Sequence, residues 1–223
     1  LHAIKNYYDR LALEYDQDRF GGSYGQYLHR QEIEILENWL SGISPNDVLE
    51  LGCGTGRFSG FAKTGVDFSE GMLSVARKRY PQNEFVQADI KDTGLPLAKF
   101  KAIICLHVLM HLDKNDFEGI WKEAHRLLQP DGLFIFDIPS ARRGKLFRQN
   151  PKGWHGATSL FSKEVKDLNE GLFQKMKTEG VLFFPIHQLP NSMRNTFRSL
   201  DSLLGKTVFN QWSSYRFYCL RKL

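Results

Sequence analysis

Between residues 47 and 138 short apolar runs alternate with stretches of helical spacing, and this alternation constrains the fold more than any other feature. Val48-Leu49-Glu50-Leu51 reads as a strand running into a glycine cluster, and Gly65-Val66-Asp67 as a very short second strand. A helix is expected over 69–80: Ser69 can cap it, Glu70 sits in its first turn, and Pro81 stops it. Residues 84–88 and 102–106 read as the third and fourth strands. The fourth is apolar throughout, as suits a strand covered on both faces. A helix over 115–128 is expected to end in the Pro130-Asp131-Gly132 turn, with 133–138 as a fifth strand. Strands separated by helices imply a parallel sheet with helices on both faces, and right-handed crossovers make it doubly wound.

Two helices, over 3–16 and 25–40, are expected before this core, divided by Gly21-Gly22-Ser23. After it, 139–171 is irregular apart from a helix near 162–170. Residues 172–185 and 212–221 read as two further strands around a helix near 192–204. In the last strand Tyr215, Phe217 and Cys219 fall on one side, and Arg216, Tyr218 and Leu220 on the other. With 223 residues, 42% of them hydrophobic, the chain has material for one domain with a substantial core. That domain divides into an N-terminal helical cap (1–44), a core (45–138), an inserted lid region carrying the sixth strand (139–205) and a final strand (206–223).

The net charge of +5 permits nucleic acid or an acidic substrate without demanding either. Three cysteines, Cys53, Cys105 and Cys219, with no Cys-x-x-Cys pair, argue against a disulfide framework or a zinc ribbon and for a reducing compartment. No apolar run approaches the ~20 residues of a membrane span. The first residues hold neither a signal-peptide core nor an initiator Met. The expectation is a cytoplasmic protein without a membrane partner, with its natural start upstream of Leu1.

The strongest local motif is Glu50-Leu51-Gly52-Cys53-Gly54-Thr55-Gly56, a strand entering a glycine loop. Glycine lets backbone approach a ligand and adopt positive φ, although a tight turn that binds nothing has the same look. The Gly-x-Gly-x-x-Gly dinucleotide pattern fails in both registers, falling on Arg57 or on Ser59. Glu50 before the loop would repel a pyrophosphate but suits a ligand carrying an ammonium and a sulfonium. Asp67 can accept both hydroxyls of a ribose, or serve only as an acid ahead of a helix. Asp89 can accept an adenine amino hydrogen with Ile90 against the ring, or simply form a turn. Three carboxylates at the carboxyl ends of successive strands lie along the edge where open α/β sheets bind ligands.

His107 and His111 are spaced to share a helix face, but the glutamate of a zinc motif is absent and no third ligand is evident, so no metal is expected. His107 at the end of the fourth strand can act as a general base; His111 reads more as a helix-start residue. His155 and His187 can equally serve or lie on the surface. Phe161, Phe173, Phe183, Phe184 and Phe197 either line an apolar pocket or form core beneath the last strands. Arg142-Arg143, Lys145 and Arg221-Lys222 read as solvated faces.

These motifs resemble the class I S-adenosylmethionine-dependent methyltransferases, in particular their type 11 small-molecule branch. The resemblance rests on 48–56, on Gly65-Val66-Asp67-Phe68-Ser69-Glu70-Gly71-Met72-Leu73, on Val86-Gln87-Ala88-Asp89, on 105–112 and on 123–133, in the family's order. Tyr8-Asp9-x-x-Ala12-x-x-Tyr15-Asp16 is similar to the family's entry helix. The resemblance implies a Rossmann-like, mostly parallel seven-stranded sheet whose last strand is antiparallel. It implies S-adenosylmethionine as cofactor and S-adenosylhomocysteine as product. The methionine part would lie on the loop of Gly52, Cys53, Gly54 and Gly56, with Glu50 behind it. Asp67 would hold the ribose, Phe68 or Met72 flank the adenine, Asp89 and Ile90 read it, and Leu106 offer its carbonyl. Gly56 and Asp67 are only 11 positions apart, so any helix between them is one or two turns or partly unwound.

The expected reaction is methyl transfer to a small molecule with an apolar body, closed in by Tyr15 and Tyr8 of the N-terminal helix and by 139–205. Oxygen, nitrogen and carbon acceptors all stay open. A tRNA-modifying enzyme is the first alternative, with nucleic acid as partner, and a non-catalytic subunit of the same fold is the second.

Overall fold

Seven strands form one sheet in the order β3-β2-β1-β4-β5-β7-β6. The computed structural model describes residues 2–146, 158–186 and 189–223. The elements are α1 (His2–Leu11), α2 (Tyr15–Phe20), α3 (Ser23–Trp39), β1 (Val48–Leu51), β2 (Thr64–Asp67), α4 (Glu70–Arg79), β3 (Glu84–Gln87), β4 (Phe100–Cys105), α5 (Phe117–Leu127), β5 (Leu128–Pro139), α6 (Ala141–Leu146), α7 (Ser162–Asn169), β6 (Phe173–Val181), α8 (Asn191–Gly205) and β7 (Tyr215–Lys222). Strands β1 to β5 run parallel, and β7 is antiparallel to both β5 and β6. This is the doubly wound, mostly parallel architecture expected from the alternation of motifs. The order reverses between β1 and β4, so the edge beyond their carboxyl ends is a ready ligand crevice.

Each sheet face carries its own core. Leu49, Leu51, Ile103, Phe134 and Phe136 pack under α5 and α7, where the Trp121 ring lies 4.8 Å from Phe136. Val48, Ala102, Ile104 and Ile135 pack under α3, with Leu36 and Trp39. The alternation in β7 divides as its side-chain period requires: Tyr218 and Leu220 join the first core, Phe217 and Cys219 the second.

Several boundaries differ from the sequence reading. The expected helix over 3–16 breaks at 12–14, splitting into α1 and α2, which turns Tyr8 and Tyr15 towards each other. Residues 54–61 are consecutive turns with no helix, because 11 positions cannot hold a helix, a turn and a strand. Helix α5 runs straight into β5 and the Pro130-Asp131-Gly132 turn becomes a bulge within it. The pairing shifts from Phe100↔Leu128 to Ala102↔Leu133, and Asp131 takes φ +61°. Strand β6 stops at Val181 because Leu182 takes φ +55° and gives its N–H to Gln31.

Helix α8 is tied to α3 through Asp201, which is fully buried. Its carboxylate accepts from the Tyr27 hydroxyl (3.0 Å), Gln31 Nε2 (2.8 Å) and the Phe184 N–H (2.6 Å). Among the described residues no helix is long and apolar enough to cross a membrane. Asp201→Ala strands three donors in a dry site and is expected to cost about 2–4 kcal/mol of stability, read as a lowered urea midpoint. Asp201→Asn, which keeps an acceptor, should cost clearly less.

Candidate active site

The carboxyl ends of β1, β2 and β4 open into a cleft of about 230 Å³. Chain direction makes it: the Gly52 loop leaves β1 towards one face, while His107 and Val108 leave β4 beside it. Gly52 has φ +72°, and a Cβ there would lie 2.2 Å from Val108 Cγ2, so only glycine fits the crossing. The Gly52 and Cys53 N–H groups both donate to the Val66 carbonyl, fixing the loop against β2.

Of the residues expected to form the site, Glu50, Gly52, Cys53, Gly54, Asp67, Phe68, Met72, Asp89, Ile90, Leu106, His107 and Tyr15 all line this cleft. Gly56 does not; at φ +81° it packs instead beneath Ala76 of α4. Asp67 accepts from the Gly54 N–H and the Ser69 N–H, both at 2.9 Å, so its carboxylate joins the glycine loop to the start of α4. Burial nonetheless pushes its pKa up to about 6. Burial raises Glu50 further, to about 8, with Arg57 pulling it down and Asp67 adding repulsion. Glu50 Oε2 is buried with no hydrogen-bond partner among the described residues. Asp89 is half-exposed and its carboxylate accepts the Lys91 N–H at 2.9 Å, the geometry of a turn former.

The N-terminal helices cover the cleft. Tyr8 of α1 lies edge-on to Tyr15, Phe68 and His111, at 5.9, 6.4 and 6.1 Å between ring centres. Burial raises the pKa of both tyrosines, so their hydroxyls stay protonated near neutrality. Two acids latch these helices down. Asp9 Oδ1 accepts from Ser69 Oγ (2.6 Å) and the Gly71 N–H (3.0 Å) at the start of α4. Asp16 takes a hydrogen bond from Thr55 Oγ1 (2.7 Å) and pairs with Arg79 (2.6 Å).

His107 stands apart from the helix-face expectation. It lies in a loop at φ +58°, ahead of the 3-10 turn Leu109–His111, so the two histidines share no helix face. Its N–H donates to Asp137 Oδ1 at 2.6 Å, which stabilises the left-handed backbone. Its Nε2 meets Glu32, and its Nδ1 lies 3.6 Å from Asp137 Oδ2. Glu32 also pairs with Arg57, which in turn bonds His29 Nδ1 at 2.8 Å. Among the described residues no group of three or more His, Cys, Asp or Glu is placed to hold a metal ion.

Sequence reasoning missed Glu32, Arg57 and Asp137. Asp137 had a signal: an acid inside the apolar run Phe134-Ile135-Phe136-Asp137-Ile138. Glu32 had none, for it sits in a helix rich in acids. None of the five phenylalanines lines the cleft: Phe173 is core, Phe184 and Phe197 pack against the second core with their rings 5.3 Å apart, and Phe161 borders a separate cavity beyond β5. No described residue of 139–205 lines the cleft either. His155 and His187 lie outside the described residues.

Residues 49–136 match the family model described as a methyltransferase domain. The chain is 32% identical over 145 residues to malonyl-[acyl-carrier protein] O-methyltransferase of Serratia marcescens, covering 62% of this chain and 53% of the relative. It is 34% identical over 121 residues to trans-aconitate 2-methyltransferase of an Acidovorax strain, covering 49% of this chain and 44% of the relative. The chain thus spans about half the length of these relatives. A methyltransferase structure from Thermotoga maritima superposes with a TM-score of 0.71 at 20% identity, covering 99% of this chain and 100% of the other. Magnesium protoporphyrin IX methyltransferase from Synechocystis, solved with S-adenosylhomocysteine, gives 0.70 at 16% identity, covering 100% and 99%.

Burial pulls the His107 pKa down, but Asp137 and Glu32 outweigh it and hold it above the ordinary 6.5. The stability this supplies is complete below pH 6.5 and is lost as pH rises through the raised value. In an NMR titration the ring should take up its proton above pH 6.5, and Glu32→Gln should lower that midpoint. A wild-type midpoint at or below 6.5 would contradict the clamp.

Proposed function

Because the chain carries a class I S-adenosylmethionine-dependent methyltransferase domain, we propose that it transfers a methyl group from S-adenosylmethionine to a small-molecule acceptor with an apolar body. The observation that carries this reading is that one cleft, at the β1–β4 switch point, gathers every expected cofactor residue except Gly56. The donor set suits the cofactor: a glycine loop a side chain would block, the strand-end acid Asp67, and a buried Glu50 oxygen without a partner among the described residues. When bound, the cofactor supplies an already activated methyl group, so the protein's task is alignment and exclusion of water.

In this reading Asp67 holds the ribose hydroxyls while its backbone bonds keep the carboxylate aimed. Phe68, Met72 and Ile90 form the apolar walls for the adenine, with Asp89 at its edge. Tyr8 and Tyr15 close the cleft from above as protonated donors. His107, with both ring nitrogens facing carboxylates, is a positioning residue rather than a general base. Its imidazolium aligns Glu32 and Asp137 behind the acceptor side. Relatives named for malonyl-[acyl-carrier protein] and trans-aconitate support an organic acceptor over a nucleic acid.

Asp67→Ala is expected to weaken S-adenosylmethionine binding by about 1.5–3 kcal/mol in calorimetry while the fold survives. A cofactor bearing an ammonium and a sulfonium favours the ionised forms of Asp67 and Glu50, whose pKa values stand at about 6 and 8. Affinity should therefore rise from pH 5 towards about pH 8 with proton release on binding, and flat affinity across this range would refute the assignment. Tyr15→Ala should lower turnover by about tenfold or more with little change in cofactor affinity, the split expected of a lid residue.

A further inference from the structure

A second cavity, of about 410 Å³, lies on the same sheet edge beyond β5, walled by Ser140, Arg142, Phe161, Ser162, Lys163 and Arg216 among others. Among the described residues no Asp or Glu lines it. Arg216 lies in β7 opposite Ile138, two residues before Ser140, and only 8% of it is exposed. Its Nη1 donates to Ser162 Oγ at 2.6 Å, and its Nε has no partner among the described residues. Its guanidinium lies 5.0 Å over the Tyr218 ring but meets no carboxylate among the described residues, which is costly at this depth, and burial together with repulsion from Arg142 lowers its pKa.

The neighbouring carboxylate, Glu164, is already engaged: it accepts the Phe161 N–H at 2.7 Å and pairs with Lys114 at 2.6 Å. The charges left facing the cavity are Arg142, whose guanidinium lies 5.6 Å over the Trp212 ring, Lys163 and Arg216. Ser162 and Lys163 also open α7, so their backbone N–H groups have no partner within the helix, and the helix dipole adds positive potential at that end. Two guanidiniums, an ammonium and a helix N-terminus on one concave wall form a receptor for a compact anion of more than one charge.

We propose that this cavity binds the phosphate group of a small phosphomonoester, with Arg216 as its buried anchor and Lys163 and Arg142 at its mouth. A carboxylate offers one charge in a plane, whereas a phosphate offers nearly two charges on three oxygens, which fits donors converging from β7, α6 and α7. The site stands one residue along β7 from Tyr215, whose ring lies 5.3 Å from His107, so it adjoins the cleft without sharing its lining. The proposal does not depend on methyl transfer.

The test is calorimetry and phosphorus NMR on the whole chain at fixed ionic strength, with inorganic phosphate, methyl phosphate and acetate as probes. Saturable binding of both phosphates, at least about tenfold tighter than acetate, is expected. Lys163→Gln, on an exposed position, and Arg216→Gln should each weaken it by about tenfold or more. S-adenosylhomocysteine titrated into the same samples should bind unchanged, which keeps failure here distinct from failure of the cofactor assignment. No saturable phosphate binding, equal preference for acetate, or binding indifferent to Lys163→Gln would overturn the proposal.

Discussion

A carboxylate with no access to water holds the cap to the core. Glu32 is fully buried, and such a charge is tolerated only where cations meet it at close range. Arg57 reaches it from behind the glycine loop and His107 from the end of β4. Burial alone would drive its pKa up; these two cations hold it well below the usual carboxylate range. One side chain on α3 thus fixes the segment after β1 and the segment after β4, the two that form opposite walls of the cleft. Removing Glu32 would leave Arg57 and His107 facing each other across a dry gap.

Around that anchor the ion pairs divide by burial. Those at Glu32 and Asp137 are shielded from salt, while Lys122 with Glu118 on the surface of α5 is screened and worth little. Glu32, His107 and Asp137 gather at the carboxyl edge of the sheet, while Asp201 on α8 and Glu123 on α5, which pairs with Arg126 at 2.7 Å, are buried acids outside that cluster. Elsewhere the fold rests on apolar layers, with Trp121, Phe134 and Phe136 on one face and Leu36 and Trp39 on the other.

Much of the architecture was legible because parallel strands buried on both faces announce themselves as apolar runs, as at Ala102-Ile103-Ile104-Cys105. Ser69 was readable as a cap for the same local reason: its hydroxyl accepts the Met72 N–H. Local signals failed where distant contacts decide. Nothing near Leu182 foretells that Gln31, 151 positions away, will take its N–H and end β6. Nothing near His107 tells that carboxylates from α3 and β5 will face both nitrogens of its ring. The three strand-end acids were visible as a set, yet the acids that latch the cap, Asp9 and Asp16, gain meaning only once α4 and the glycine loop are in place.

The Asp9 latch has a kinetic side. The Ser69 and Gly71 groups it grips begin the same helix whose first turn borders Asp67. Gly71 is tight here: a Cβ would lie 2.8 Å from Asp9 Cα, so the two backbones touch. With Tyr8 edge-on to Phe68, α1 covers the cleft, and under the proposed function a bound cofactor leaves upwards only when this contact parts. Residence time is then bounded by how often α1 lifts from α4. By linkage, whatever fills the cleft under a closed cap also makes lifting rarer.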